Sequence, residues 1–171
     1  YAAQLQATEN ATTRFLPDPS AHRNFVKKWT MQDFDDQFGQ VSQGAPERGR
    51  SVFHEAKCQA CHRFSGLGGV VGPDLSALSR RFTSRDMLNS ILNPSEVIST
   101  KYQNETFELS DGQSISGRVL SGDYRSERLR VIPNLLEPDR TIGFLKADVE
   151  HREPTPLSPM PTGLLDTFSK D

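Results

Sequence analysis

The chain has two cysteines in 171 residues, with two residues between them, in Lys57-Cys58-Gln59-Ala60-Cys61-His62-Arg63. Two thiols on one short turn can reach the two vinyl groups along one side of a porphyrin. The histidine directly after the second thiol then lies under the iron and can give it an imidazole nitrogen. Cys-x-x-Cys-His therefore reads as a site for covalent attachment of haem c, with Cys58 and Cys61 as the attachment points and His62 as a metal ligand. The rest of the sequence reads as a pocket for that group, or as additions around it.

Two other chemistries, and one reading with none, use the same residue types. A structural zinc ion needs four ligands, and the second pair would have to come from the scattered His22, His54 and His151. A thiol redox pair wants Cys-x-x-Cys between a strand and a helix, and Gln59-Ala60 followed by His62-Arg63 supports that poorly. Two free buried thiols with no function are the bland alternative.

Composition bounds the class. The length suits one ordinary domain with additions, or two very small ones. Hydrophobic residues make up 35% of the chain and mean hydropathy is -0.58, which leaves little core material. A large flat apolar group would supply what is short. The 20 basic and 22 acidic residues are intermixed and the net charge is -2, without the basic stripe of a nucleic-acid partner. No apolar run approaches membrane-spanning length. The start at Tyr1, without methionine or signal peptide, reads as a processed or excised piece of a longer protein. Covalent haem attachment follows export, so the expected location is periplasmic or otherwise exported.

Stepping outward from the motif, residues 1–19 read as a linker or the end of a preceding domain. Residues 20–44 read as short helices that dock on the core. Ser20 can cap one that carries Phe25, Val26 and Trp29, and Thr30-Met31-Gln32-Asp33 has capping-box spacing for another, with Met31, Phe34 and Phe38 on one face and Gly39 as its stop. Residues 45–171 form the main domain. Pro46 suits the first position of a helix that runs through Ala56 into the motif. Gly49 and Phe53, four apart, would let another helix approach closely there. His54 on that helix reads as a surface histidine.

Beyond the motif, Ser65-Gly66-Leu67-Gly68-Gly69 and Val70-Val71-Gly72-Pro73-Asp74-Leu75 permit a close-fitting loop against a ligand face. Thr83-Ser84-Arg85-Asp86 repeats the capping-box spacing and opens a helix with Met87, Leu88, Ile91 and Leu92 inward, ended by Asn93-Pro94. Met87 is an iron ligand by element type alone and reads better as packing. About residues 101–152, period-two alternation replaces the helical pattern. Strands are expected at Thr106–Leu109, Ser114–Leu120, Leu129–Ile132 and Thr141–Leu145, with Asp111-Gly112 as a hairpin turn, giving a small antiparallel sheet of about three to five strands. In Pro154–Gly163, Met160 stands between Pro159 and Pro161, and a stiff loop loses little entropy in presenting a thioether to a metal.

These landmarks resemble a family. Cys58–His62, then Gly72-Pro73-Asp74-Leu75, then Ser158-Pro159-Met160-Pro161 are similar to the ordered landmarks of a monohaem class I cytochrome c. Trp29-Thr30, Gly49, Phe53, Arg81, Ile91–Ser95, Tyr102, Asp111-Gly112 and Met160-Pro161 resemble, over residues 22–168, the haem-binding domain of planctomycete and verrucomicrobial exported proteins. The resemblance implies a mainly α cytochrome c-like fold around a covalently bound haem, with a small antiparallel β insertion between the proximal and distal ligands. It implies one haem c, axial iron ligands at His62 and Met160, a Pro73 carbonyl that accepts the proximal imidazole proton, and propionate contacts from Arg81 and Tyr102. It also implies a C-terminal helix, for which Leu164, Leu165 and Phe168 leave only a short one before Asp171.

The function expected is single-electron transfer between a fused dehydrogenase domain or redox protein and a further acceptor, with no catalysis by the domain alone. Two other classes make different predictions. A haem enzyme or gas sensor would leave the position opposite His62 open or labile. A binding module with structural haem would have no reversible redox wave. Bis-histidine ligation through His151 or His22 is a variant of the first reading.

Overall fold

The computed structural model describes residues 23–38 and 44–170. The expected linker 1–19, the Ser20 cap, His22, the Gly39 stop and residues 40–43 lie outside the described residues. Helix α1, Pro46–Glu55, begins on its proline as the missing N–H predicts. Lys57, left-handed at φ 60°, turns the chain into a 3-10 turn at Cys58–Ala60. Strands β1 (Arg63–Phe64) and β2 (Leu67–Gly68) then pair as a minimal hairpin. Its two turn residues, Ser65 and Gly66, both have positive φ, the geometry that matches strand twist.

Helix α2 spans Ser84–Leu92. Asp86 N donates to Thr83 Oγ1 at 3.2 Å, and the Asp86 carboxylate accepts from Thr83 N at 2.8 Å, a closed capping box. Strands β3 (Glu105–Leu109), β4 (Ser114–Val119), β5 (Arg128–Ile132), β6 (Ile142–Leu145) and β7 (Val149–Pro154) form an antiparallel sheet in the order β6-β5-β4-β3-β7. Phe107 of β3 and Phe144 of β6 are three strands apart, roughly 14 Å in a flat sheet. Their ring centroids lie 5.0 Å apart, so the sheet curls around its own core. That core is Phe107, Leu109, Ile115, Val119, Leu129, Val131 and Phe144, with Val149 against it.

The mainly α expectation needs correction. Among the described residues the α-helices are α1 and α2, of ten and nine residues, beside a five-stranded sheet. Three expected helices do not form there. Residues 23–30 run without helix, and Val26 N and Lys27 N donate to the Asp166 carbonyl rather than to their own turn. The Thr30–Asp33 capping box closes only a 3-10 turn at Met31–Phe34. Residues 164–167 make turns, with Phe168 buried behind them. Segments this short do not recover the cost of helix nucleation, and tertiary hydrogen bonds take their donors instead. Gly49 also differs from expectation: among the described residues a Cβ there would meet nothing within 4 Å. Among the described residues no helix is long and apolar enough to cross a membrane.

Candidate haem site

The motif turn closes on itself. Cys61 N and His62 N both donate to the Cys58 carbonyl, at 3.2 and 2.9 Å. Both cysteines are half-buried and unbridged. Burial pushes the Cys58 thiol up, and does the same at Cys61 against the pull of the Arg118 charge. A thiol with a raised pKa is a weak nucleophile, which opposes the thiol redox reading. Among the described residues, no three His, Cys, Asp or Glu side chains gather as a metal-binding group, so zinc finds no set of side chains there.

The loop after β2 lies directly on this turn. Gly69 N donates to the Gln59 carbonyl at 2.8 Å, Gly72 N to the Cys61 carbonyl at 2.7 Å, and Leu75 N to the Arg63 carbonyl at 2.8 Å. At Gly72 the backbone meets the face of the histidine ring: a Cβ would sit 2.7 Å from His62 Cε1. One residue on, the Pro73 carbonyl lies 2.9 Å from His62 Nδ1. A carbonyl only accepts, so Nδ1 carries the proton and Nε2 keeps its lone pair. That is the tautomer a metal-ligating histidine needs, with the bond that orients the ring already in place.

The remaining candidates fall at different places. Met160 is half-buried; its N–H donates to Ser158 Oγ at 3.2 Å, and Ser158 N donates to Ser95 Oγ at 3.0 Å in the turn after α2. Upstream, Thr155 N donates to the Asn104 carbonyl at 2.8 Å, and Gln103 Nε2 to the Thr155 carbonyl at 3.2 Å. The methionine loop is thus tied at Thr155 and at Ser158, both upstream of Met160. Tyr102 is half-buried, whereas Arg81 is exposed with its guanidinium 5.7 Å from the Phe82 ring centroid. His151 is exposed on β7 with Glu153 as its neighbour. Met87 is half-buried on α2. Trp29 Nε1 donates to the Phe168 carbonyl at 3.1 Å, and its ring packs on Phe34, so this aromatic docks the N-terminal segment onto the C-terminal turn.

Arg118 on β4 was not singled out by the sequence. Its Nη1 donates to the Val71 carbonyl, and its Nη2 to the Tyr102 carbonyl at 2.9 Å. Among the described residues no carboxylate pairs with it, and burial lowers its pKa. The signal available was a lone arginine in a strand whose neighbours Gly117 and Val119 are both buried.

These residues fit a haem. Neither α1 nor α2 buries any residue, although Val52, Phe53, Met87, Leu88, Ile91 and Leu92 make apolar faces. Such half-buried faces lack the core that a flat apolar group would supply. Three buried polar atoms in or beside the motif, Gln59 Oε1, Arg63 Nε and Arg118 Nε, have no partner among the described residues. Buried guanidinium donors without acceptors match a ligand that carries carboxylates, as haem does in its propionates.

Comparison with known proteins agrees. The family model for cytochrome c matches residues 46–113, from the start of α1 to the hairpin after β3. No curated protein matches the chain. A cytochrome c domain holds haem c covalently with its iron, and Cys58, Cys61 and His62 fit the attachment motif. The matched segment supports a haem-binding electron-transfer module.

Proposed function

We propose that this chain is a monohaem c-type cytochrome domain that relays single electrons, with thioethers at Cys58 and Cys61 and with His62 and Met160 as axial ligands. The observation that carries the reading is the His62 ring, whose Nδ1–H donates to the Pro73 carbonyl, on the turn that holds both thiols. When bound, the haem iron supplies the one-electron chemistry by alternating between ferric and ferrous states.

The chain's own residues do the rest. Pro73 and Gly72 fix the ring of His62, the first by accepting its proton and the second by leaving room for its face. Ser95, Ser158 and the prolines beside Met160 hold the methionine loop in one conformation. A sulfur ligand opposite imidazole favours the ferrous state relative to two imidazoles. His62 and Met160 would both hold the iron and leave it no place for a substrate, so the domain would hand electrons on rather than turn over a substrate. Its partners are a redox protein or a fused dehydrogenase domain on one side and a further acceptor on the other. The location is the periplasm or another exported compartment, where covalent haem attachment is completed.

The test is spectroscopic. The ferric wild type is expected to show the weak long-wavelength band of sulfur-ligated haem, and the ferrous protein to take up carbon monoxide slowly. Met160→Ala should lose the band and bind carbon monoxide quickly, while His151→Ala should change neither. A wild type without the band, or a His151→Ala protein with an altered spectrum, contradicts the ligand set.

A further inference from the structure

One side chain of the sheet, Arg118 on β4, reaches the loop that lies on the motif turn. The peptide unit between Val71 and Gly72 is held at both ends: its N–H donates to the Cys61 carbonyl of the motif at 2.7 Å, and its carbonyl accepts from Arg118 Nη1 on β4. In a trans peptide these two groups point in opposite directions, so this unit is strung between the motif turn and the sheet. The same guanidinium donates through Nη2 to the Tyr102 carbonyl at 2.9 Å, just before β3. Its planar fork serves two carbonyls at once, which a lysine ammonium on a flexible stem does not reproduce. The residues that follow this peptide unit are Gly72, against the His62 ring, and Pro73, the acceptor of the His62 proton.

We infer that Arg118 is a positioning residue for the redox centre: it fixes the Val71–Gly72 peptide unit, and so holds the Pro73 carbonyl at His62 Nδ1. The sheet is on this account part of the site, not an appended platform. The inference rests on the proposed ligation of iron by His62.

The test uses the mature haem protein with Arg118→Lys, which keeps the charge, and Arg118→Gln, which removes it. Solvent exchange of the His62 Nδ1 proton, followed by NMR, should be about tenfold faster in both, the factor expected when a charge-assisted hydrogen bond is lost from the loop. A looser bond to Pro73 makes the imidazole a weaker donor and leaves the ferric state less stabilised. The reduction potential of Arg118→Lys should therefore rise above that of the wild type. Arg118→Gln should lie below Arg118→Lys, because loss of a nearby cation favours ferric iron. Amide protection in β3 to β7 should stay at the wild-type level in both variants.

Exchange of the His62 proton at the wild-type rate in both variants overturns the inference alone. So does a loss of sheet protection that parallels the loss at His62, because Arg118 would then be a general structural residue. A wild type whose His62 resonances show no iron ligation overturns the proposed function and this inference together.

Discussion

Gly72 leaves no room for a methyl group, and its neighbour is the ring whose orientation matters most. A Cβ at this position would lie 2.7 Å from Cε1 and 2.8 Å from Nδ1 of His62. Gly72→Ala is expected to push the ring off the Pro73 carbonyl and to cost about 1–3 kcal/mol, as overpacking does. The measurement is thermal unfolding of the haem protein together with haem yield on expression, and an unchanged value of both would contradict the close approach. The same substitution at Gly49 should have the opposite sign. That position is helical and open, so Gly49→Ala should stabilise the protein by about 0.5–1 kcal/mol. At this scale much of the candidate site was legible: thiols, histidine and the glycine loop sit within eighteen residues of one another, and local spacing states their chemistry. Arg118 was not legible, because its partners Val71 and Tyr102 are 47 and 16 positions away.

At the scale of elements, the short turn at Met31–Phe34 shows what a cap does and does not decide. Both halves of the Thr30–Asp33 box are present, and Lys27 pairs with the same carboxylate. The bonds from Lys27 and from Thr30 hold the Asp33 carboxyl down at about 2, against an ordinary 3.8. The depressed value fixes the sign: the contribution is complete above pH ~3.8 and is lost as pH falls through about 2. The difference in melting temperature between wild type and Asp33→Asn should thus be largest above pH ~3.8 and close as pH falls toward 2. A difference that does not vary with pH would contradict it. Caps were readable because they span four residues, but helix length was not, since it depends on what the next donors find. Strand β7 was missed for a related reason. Its sequence Val-Glu-His-Arg-Glu-Pro has no apolar alternation, and it is a strand because it pairs with β3, whose residues lie 40 to 49 positions away from their partners.

At the scale of the whole molecule, two regions are built on different principles. The curled sheet packs its own side chains, with Phe107 and Val131 fully buried. The helical region has amphipathic elements and no buried residue in either helix. Phe107→Ala should therefore cost about 3–5 kcal/mol, read from denaturant unfolding. In a Cys58→Ala/Cys61→Ala protein without haem, hydrogen exchange should find β3 to β5 protected and α1 and α2 open, since local stability follows local burial. Equal protection in helices and sheet would contradict the division. The fold class was legible in part: the antiparallel β insertion was read from its alternation, whereas 'mainly α' overstated two short helices beside a sheet with a core of its own.

The measurement closest to the central claim is a pyridine haemochrome spectrum of matured protein after acid-acetone extraction. The account predicts one haem per chain that resists extraction and shows the spectrum of a porphyrin joined through two thioethers. Colourless protein, extractable haem, or a spectrum with a vinyl group still intact would contradict it.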